Sequence, residues 1–134
     1  MTATTTKNKN SNWTISDIPN LDGKTAFITG ANSGLGYYTA KALAEKNAHV
    51  LLACRSLEKS NSAIDKLKSL NPKGKFTPVE LDLSDLNNVS EIGSKISNEF
   101  ENLYLLINNA GIMHPPKTLS KQGCLLYTSD AADE

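Results

Sequence analysis

Thr29-Gly30-Ala31-Asn32-Ser33-Gly34-Leu35-Gly36 (TGANSGLG) sets three glycines between an apolar run and a helical pattern, and that placement decides the fold. The run before it, Lys24–Thr29 (KTAFIT), reads as a short buried strand. The stretch after it, from about Gly34 to Lys46, carries Leu35, Thr39, Leu43 and neighbouring alanines on one helical face. Glycine is required where a chain turns tightly and other groups must approach its backbone. A helix N-terminus behind such a turn offers free amides and a partial positive charge, which suits a phosphate. Glycines alone make only a turn. A strand before them and a helix after make a nucleotide-binding loop the expectation. Asn47 stands where the helix should stop, because Asn tolerates the left-handed conformation that ends many helices.

Outward from this turn the segments alternate. Ala48–Cys54 (AHVLLAC) reads as a second buried strand. Ser56 is placed to cap a helix with Leu57, Ala63, Ile64, Leu67 and Leu70 at helical spacing, and Asn71-Pro72-Lys73-Gly74 breaks it. Lys75–Leu81 (KFTPVEL) is a third strand, in which Pro78 removes a ladder donor and predicts an edge position. Ser84 is placed to cap a third helix through about Phe100, with Leu86, Val89, Ile92 or Gly93, Ile96 and Phe100 inward. Leu103–Ile107 (LYLLI) is a fourth, continuously apolar strand. Strands alternating with helices imply a parallel sheet with crossovers. Right-handed crossovers favour an α/β, Rossmann-like, doubly wound sheet, read here as truncated after the fourth strand, and the usual order of that fold makes the four strands 3-2-1-4.

The 134 residues suit one domain, and 39% apolar with 21% charged residues is ordinary for a globular protein. A formal charge of zero gives no reason to expect nucleic acid or an anionic membrane as partner. No apolar run approaches the ~20 residues of a spanning helix. Residues 1–12, rich in Thr, Asn, Lys and Ser, lack the apolar centre of a secretory signal, so a cytoplasmic location is expected. Residues 1–16 are expected as a disordered leader and 17–123 as the domain, with Trp13, Ile15, Ile18 and Leu21 the first apolar side chains able to dock. Cys54 and Cys124 have no metal-ligand spacing and suggest inert thiols.

Three features together resemble the short-chain dehydrogenase/reductase family: TGANSGLG with its GxxxGxG spacing, Asn108-Asn109-Ala110-Gly111 after the fourth strand, and Asp82-Leu83 closing the third. The resemblance covers about Asp17 to Gly123. Within the family DIPNLDGK, GANSGLGYYTAKALA and ACRS most resemble the retinol-dehydrogenase-like oxidoreductases. It implies a nicotinamide dinucleotide as partner, together with a small-molecule substrate in the intact protein. Gly30, Asn32, Ser33, Gly34, Leu35 and Gly36 would then cradle phosphate, Asp82 and Leu83 approach adenine, and Asn109, Ala110 and Gly111 line a ribose. Asp82 has a second expected role, opening a capping turn with Ser84.

An NAD-binding fold places an acid at the end of the second strand, about 20 residues past the glycines, for the ribose 2′-hydroxyl. Here the strand ends Ala53-Cys54-Arg55, and no acid follows until Glu58. A carboxylate would repel a 2′-phosphate, whereas a guanidinium binds it through several charge-assisted hydrogen bonds. The expectation is NADP(H) over NAD(H), with Arg55 on the 2′-phosphate by resemblance and Lys59 a second cation.

Catalysis in the resembled family uses a Tyr, a Lys four residues later that makes the phenolate attainable, and a Ser. Tyr37 and Lys41 match the spacing, but they fall in the first helix, and a helix-surface pair is the expectation there. His114 and Met113 follow the Asn-Asn-Ala-Gly stretch, where the family forms a pocket wall, and His114 is expected to be a loop residue held by Pro115 and Pro116. After Gly123 the family pattern stops. Residues 124–134 look like the translation of a sequencing-library adaptor and are expected to be a non-native tail. That tail holds Asp130, Asp133 and Glu134, so the remainder is mildly basic. The reading is a cofactor-binding fragment of a carbonyl/alcohol oxidoreductase, itself inactive. The alternatives are a non-catalytic nucleotide-binding or regulatory module and a nucleotide-sugar epimerase fragment, the latter disfavoured by the glycine spacing.

Overall fold

The computed structural model describes residues 12–112 and 116–126. Residues 1–11 of the expected leader, Met113, His114 and Pro115, and residues 127–134 of the expected tail lie outside the described residues. Four strands, β1 (Thr25–Thr29), β2 (His49–Cys54), β3 (Lys75–Glu80) and β4 (Leu105–Ile107), form one sheet in the order β3-β2-β1-β4. Every pairing is parallel. The helices are α1 (Gly34–Glu45), α2 (Leu57–Leu70) and α3 (Leu86–Glu99). This is the Rossmann-like α/β sheet expected from the sequence, with Pro78 on the edge strand β3.

Alternation along each strand divides the core into two layers. Ala26 and Ile28 of β1 and Val50 and Leu52 of β2 pack under Ala40, Leu43 and Ala44 of α1 and Ala63, Ile64 and Leu67 of α2. Phe27, Leu51, Ala53, Val79 and Leu81 face the other way, against Val89, Ile92, Ile96 and Phe100. No residue of α3 is fully buried, so the second layer is the looser one. Ser60, fully buried in α2, donates its hydroxyl to the Leu52 carbonyl oxygen at 3.2 Å. A small side chain there lets the helix approach the strand, and the hydrogen bond removes the cost of burying the hydroxyl.

Several local expectations are corrected. Leu35 is 81% exposed instead of inward. The helix sits on its small residues Gly36, Ala40 and Ala44 with Leu43, and this rotation carries Leu35 away from the sheet. Leu57, Leu70 and Leu86 are exposed too, because each lies at the first or last turn of its helix, beyond the sheet's cover. Trp13 and Ile15 are exposed, and packing begins at Ile18 and Leu21. Ser56 holds the N-cap position of α2 without a side-chain capping bond. The cap of α3 is Asp85 in place of Ser84: its carboxylate accepts from the Asn87 and Asn88 amides, while Ser84 is engaged by Asp82. β4 is shorter than expected, Leu105–Ile107 alone pairing with β1. Asn47 has φ 70°, the left-handed stop anticipated for α1.

Candidate functional site

At the carboxyl ends of the strands lies a cavity of about 500 Å³. Open α/β sheets bind ligands there because connections leaving neighbouring strands in opposite directions part and leave a crevice. The β1–α1 turn contributes Thr29, Gly30 and Asn32, and the end of β2 contributes Ala53, Cys54 and Arg55. Lys59 comes from the first turn of α2, Leu81 to Ser84 from the β3–α3 loop, and Ala110 to Ile112 from the segment after β4. Leu126 closes one side.

Glycine works differently at each position of the turn. Gly30 has φ 64°, and a Cβ on it would stand 2.9 Å from Ala110 Cα, so the turn and the Asn-Asn-Ala-Gly stretch touch backbone to backbone. Gly36 is buried at the start of α1, where a Cβ would lie 2.5 Å from Asn109 Nδ2 and 2.6 Å from the Gly30 oxygen. Gly34 has φ 58° with open space around it, so conformation and not crowding demands glycine there.

Two stretches 80 residues apart are locked together across the β1–β4 boundary. Thr29 Oγ1 accepts hydrogen bonds from the Asn109 and Ala110 amides at 3.0 and 2.9 Å. Asn109 Nδ2 donates to the Thr29 and Gly30 carbonyl oxygens, each at 3.2 Å. Ala110 and Gly111 therefore reach the cavity wall, whereas the Asn109 side chain faces back into the turn and holds its shape. Thr29, 5% exposed, is a site residue not anticipated from the sequence. Its signal was legible, since Thr precedes the first glycine, but only folding brings residue 109 to it.

The candidate residues divide accordingly. Gly30, Asn32, Arg55, Lys59, Asp82, Leu83, Ala110 and Gly111 meet around the cavity. Ser33, Gly34, Leu35, Gly36 and Asn109 do not line it; Ser33 and Gly34 form the start of α1, and Gly36 and Asn109 pack beneath the turn. Cys54, Ser84 and Ile112 line it without having been anticipated. Cys54 is buried there and Cys124 exposed, both as free thiols.

Asp82 Oδ1 accepts from the Ser84 hydroxyl at 2.6 Å and the Ser84 amide at 2.9 Å. These bonds, with smaller contributions from Lys121 and Arg55, hold the carboxyl below the usual carboxylate range. The expected capping-turn role of Asp82 is therefore present as a turn with Ser84, while the residue also faces the cavity. Arg55 and Lys59 are exposed, and among the described residues no carboxylate forms an ion pair with either. Tyr37 and Lys41 lie outside the cavity: Tyr37 packs on the first core layer, and Lys41 pairs with Glu45 at 3.6 Å. Among the described residues there is no metal-ligating cluster, and no helix is long and apolar enough to cross a membrane.

A glycine-rich turn, a crevice where the strand order reverses beside β1 and paired Asn-Asn-Ala-Gly contacts define a dinucleotide-binding domain. Residues 24–124 match the family model described as short chain dehydrogenase, and the chain belongs to that family, whose members bind nicotinamide dinucleotides. An uncharacterised oxidoreductase of Schizosaccharomyces pombe is 41% identical over 111 residues, 83% of this chain and 33% of that protein. Human retinol dehydrogenase 13 is 37% identical over 103 residues, 77% of this chain and 31% of its own length. A metagenomic short-chain oxidoreductase solved in complex with NADP superposes with a TM-score of 0.64 at 27% identity, over 69% of this chain and 41% of that one. The chain thus spans about a third of the length of the curated relatives it matches.

Proposed function

We propose that this chain forms the cofactor-binding part of an NADP(H)-dependent oxidoreductase that interconverts a carbonyl and an alcohol. The observation that carries the cofactor choice is the exposed Arg55 guanidinium at the end of β2, without an ion-pair partner among the described residues, with Lys59 on the same cavity wall and no acid at the strand end itself. A 2′-phosphate offers both cations an anion they can grip through several charge-assisted hydrogen bonds, whereas a 2′-hydroxyl offers only a neutral partner. The cavity fits the rest of the group. Gly30 and Gly34 keep side chains off the turn where phosphate meets the α1 amides, with Asn32, Ser33, Leu35 and Gly36 completing it. Asp82 and Leu83 face the adenine, and Ala110 and Gly111 face a ribose, with Asn109 acting through the shape of the turn. The bound nicotinamide would supply or accept hydride. The chain's own residues hold and orient it.

Tyr37 and Lys41, the pair with the family's spacing, lie in α1 away from the cavity lining, and the isolated chain is expected to bind cofactor without turning over a substrate. Arg55→Ala tests the cofactor assignment. It should weaken NADPH by roughly ten- to a hundredfold, one lost charge-assisted contact, and leave NADH almost unchanged. Equal losses for the two cofactors in calorimetric titration reject the role given to Arg55.

A further inference from the structure

The β3–α3 loop that carries Asp82, Leu83 and Ser84 is not held by its own element alone. Residues 116–126 fold back as a small hairpin: Leu119 bridges Leu125 in antiparallel fashion, and the Ser120 amide donates to the Cys124 oxygen at 2.7 Å. The tip of this hairpin docks on the start of α3. Lys121 Nζ donates to Asp85 Oδ2 at 3.0 Å, and the Lys121 amide donates to the Ser84 oxygen at 3.0 Å. Gln122 Oε1 accepts from the Leu86 amide at 2.9 Å, and Gln122 Nε2 donates to Asp85 Oδ1 at 3.0 Å.

These bonds complete a cap. Asp85 serves the Asn87 and Asn88 amides, and Gln122 serves the Leu86 amide that Asp85 leaves open. A helix start leaves such amides without partners inside the helix, and a distant side chain fills one here. From the capped turn a further link runs to the cavity: Asn88 Oδ1 accepts from the Asp82 amide at 2.8 Å, and the Asp82 carboxylate holds Ser84.

We infer that Lys121 and Gln122 are positioning residues for the nucleotide cavity, a clasp that fixes the Asp82–Leu83–Ser84 wall by gripping the Asp85 cap. The inference rests on the dinucleotide reading above and names a set of residues that touch no ligand. Lys121 and Gln122 do not line the cavity. The two hydrogen bonds from the hairpin keep the Asp85 carboxyl at about 2, so the clasp stays ionised across the pH range in which binding is measured. Lys121 is 67% exposed at its side chain, which makes the grip removable without opening a core.

The experiment titrates 2′,5′-ADP, the adenine and 2′-phosphate half of the ligand, into the full chain and its variants by calorimetry, with thermal melting measured alongside. Lys121→Met removes the ion pair and keeps the length of the stem. Gln122→Glu keeps the acceptor for the Leu86 amide but sets a carboxylate against Asp85. Both should bind 2′,5′-ADP roughly three- to tenfold more weakly at an unchanged melting temperature, and Lys121→Arg should restore wild-type affinity. Wild-type affinity in Lys121→Met and Gln122→Glu overturns the clasp while leaving the dinucleotide reading intact. Weakened binding that follows a lowered melting temperature and is not rescued by Lys121→Arg also overturns it, since that is plain destabilisation. Failure of the wild-type chain to bind 2′,5′-ADP overturns the dinucleotide reading and the clasp with it.

Discussion

β2 and β4 are alike on paper and unlike in place. His49–Cys54 and Leu105–Ile107 are both apolar strands that pair with β1, one on either side. One row of side chains crosses the sheet from Leu51 through Phe27 to Leu106, all on the α3 face. Leu51 is fully buried and Phe27 is 6% exposed, yet Leu106 is 59% exposed. On the opposite face Leu105 and Ile107 pack against the first core layer. The same kind of residue in the same row is core or surface according to what covers it. A strand with neighbours on both sides and helices on both faces loses its water; β4 has one neighbour and one covered face among the described residues. Apolar content says what a strand is suited to. Burial is conferred by the elements around it.

The sharpest test of the contrast is truncation at matched chemistry. Leu52→Ala, at a fully buried site in β2, should cost about 2–5 kcal/mol from lost burial and the cavity left behind. Chemical unfolding reads this directly, and a cost near zero would mean that β2 is not the centre of the core.

An intermediate effect is expected at the first residue of β2. His49 Nε2 hydrogen-bonds the Thr77 hydroxyl at 2.7 Å, and its ring packs 5.6 Å from that of Phe100. Burial, and secondarily the Lys75 ammonium, hold the imidazole below its usual value of 6.5. The folded ring therefore binds its proton more weakly than the unfolded one. Its contribution to stability is complete above 6.5 and is lost as pH falls through the lower folded value. The melting temperature should drop over that window, and the drop should shrink in His49→Gln. An identical profile in the variant would assign the acid sensitivity elsewhere.

The smallest effect belongs to β4. Leu106→Lys should change stability by no more than about 0.5 kcal/mol, because the side chain has little packing to lose. It should also reduce concentration-dependent association measured by light scattering, since a charge on an apolar edge strand discourages pairing with other chains. A stability loss as large as that of Leu52→Ala would show that the two strands are equivalent after all.

The glycine turn, the strand–helix alternation, the left-handed Asn47 and the edge position of Pro78 were all legible along the chain, because each depends on backbone preference or on a period of two or 3.6 residues, whereas the 3-2-1-4 order followed from the handedness of crossovers and the usual order of such sheets. Neighbours within about four residues determine such features, and the sequence displays those neighbours. Leu35, Asp85 and Ser60 were misread or missed for the opposite reason. Leu35 has the right spacing for an inward residue, but close contact at Gly36 sets the rotation of α1 on the sheet. Ser84 and Asp85 are both good caps by type, and Ser84 was already committed to Asp82. Thr29 finds its partner 80 residues away, and Lys121 and Gln122 find theirs 36 residues away, beyond any local pattern. What the sequence determined alone was which segments become strands and helices and where a turn must be glycine. Only the tertiary structure decided which apolar side chains are covered and which polar ones meet around the cavity, since both depend on contacts between segments that no spacing along the chain records.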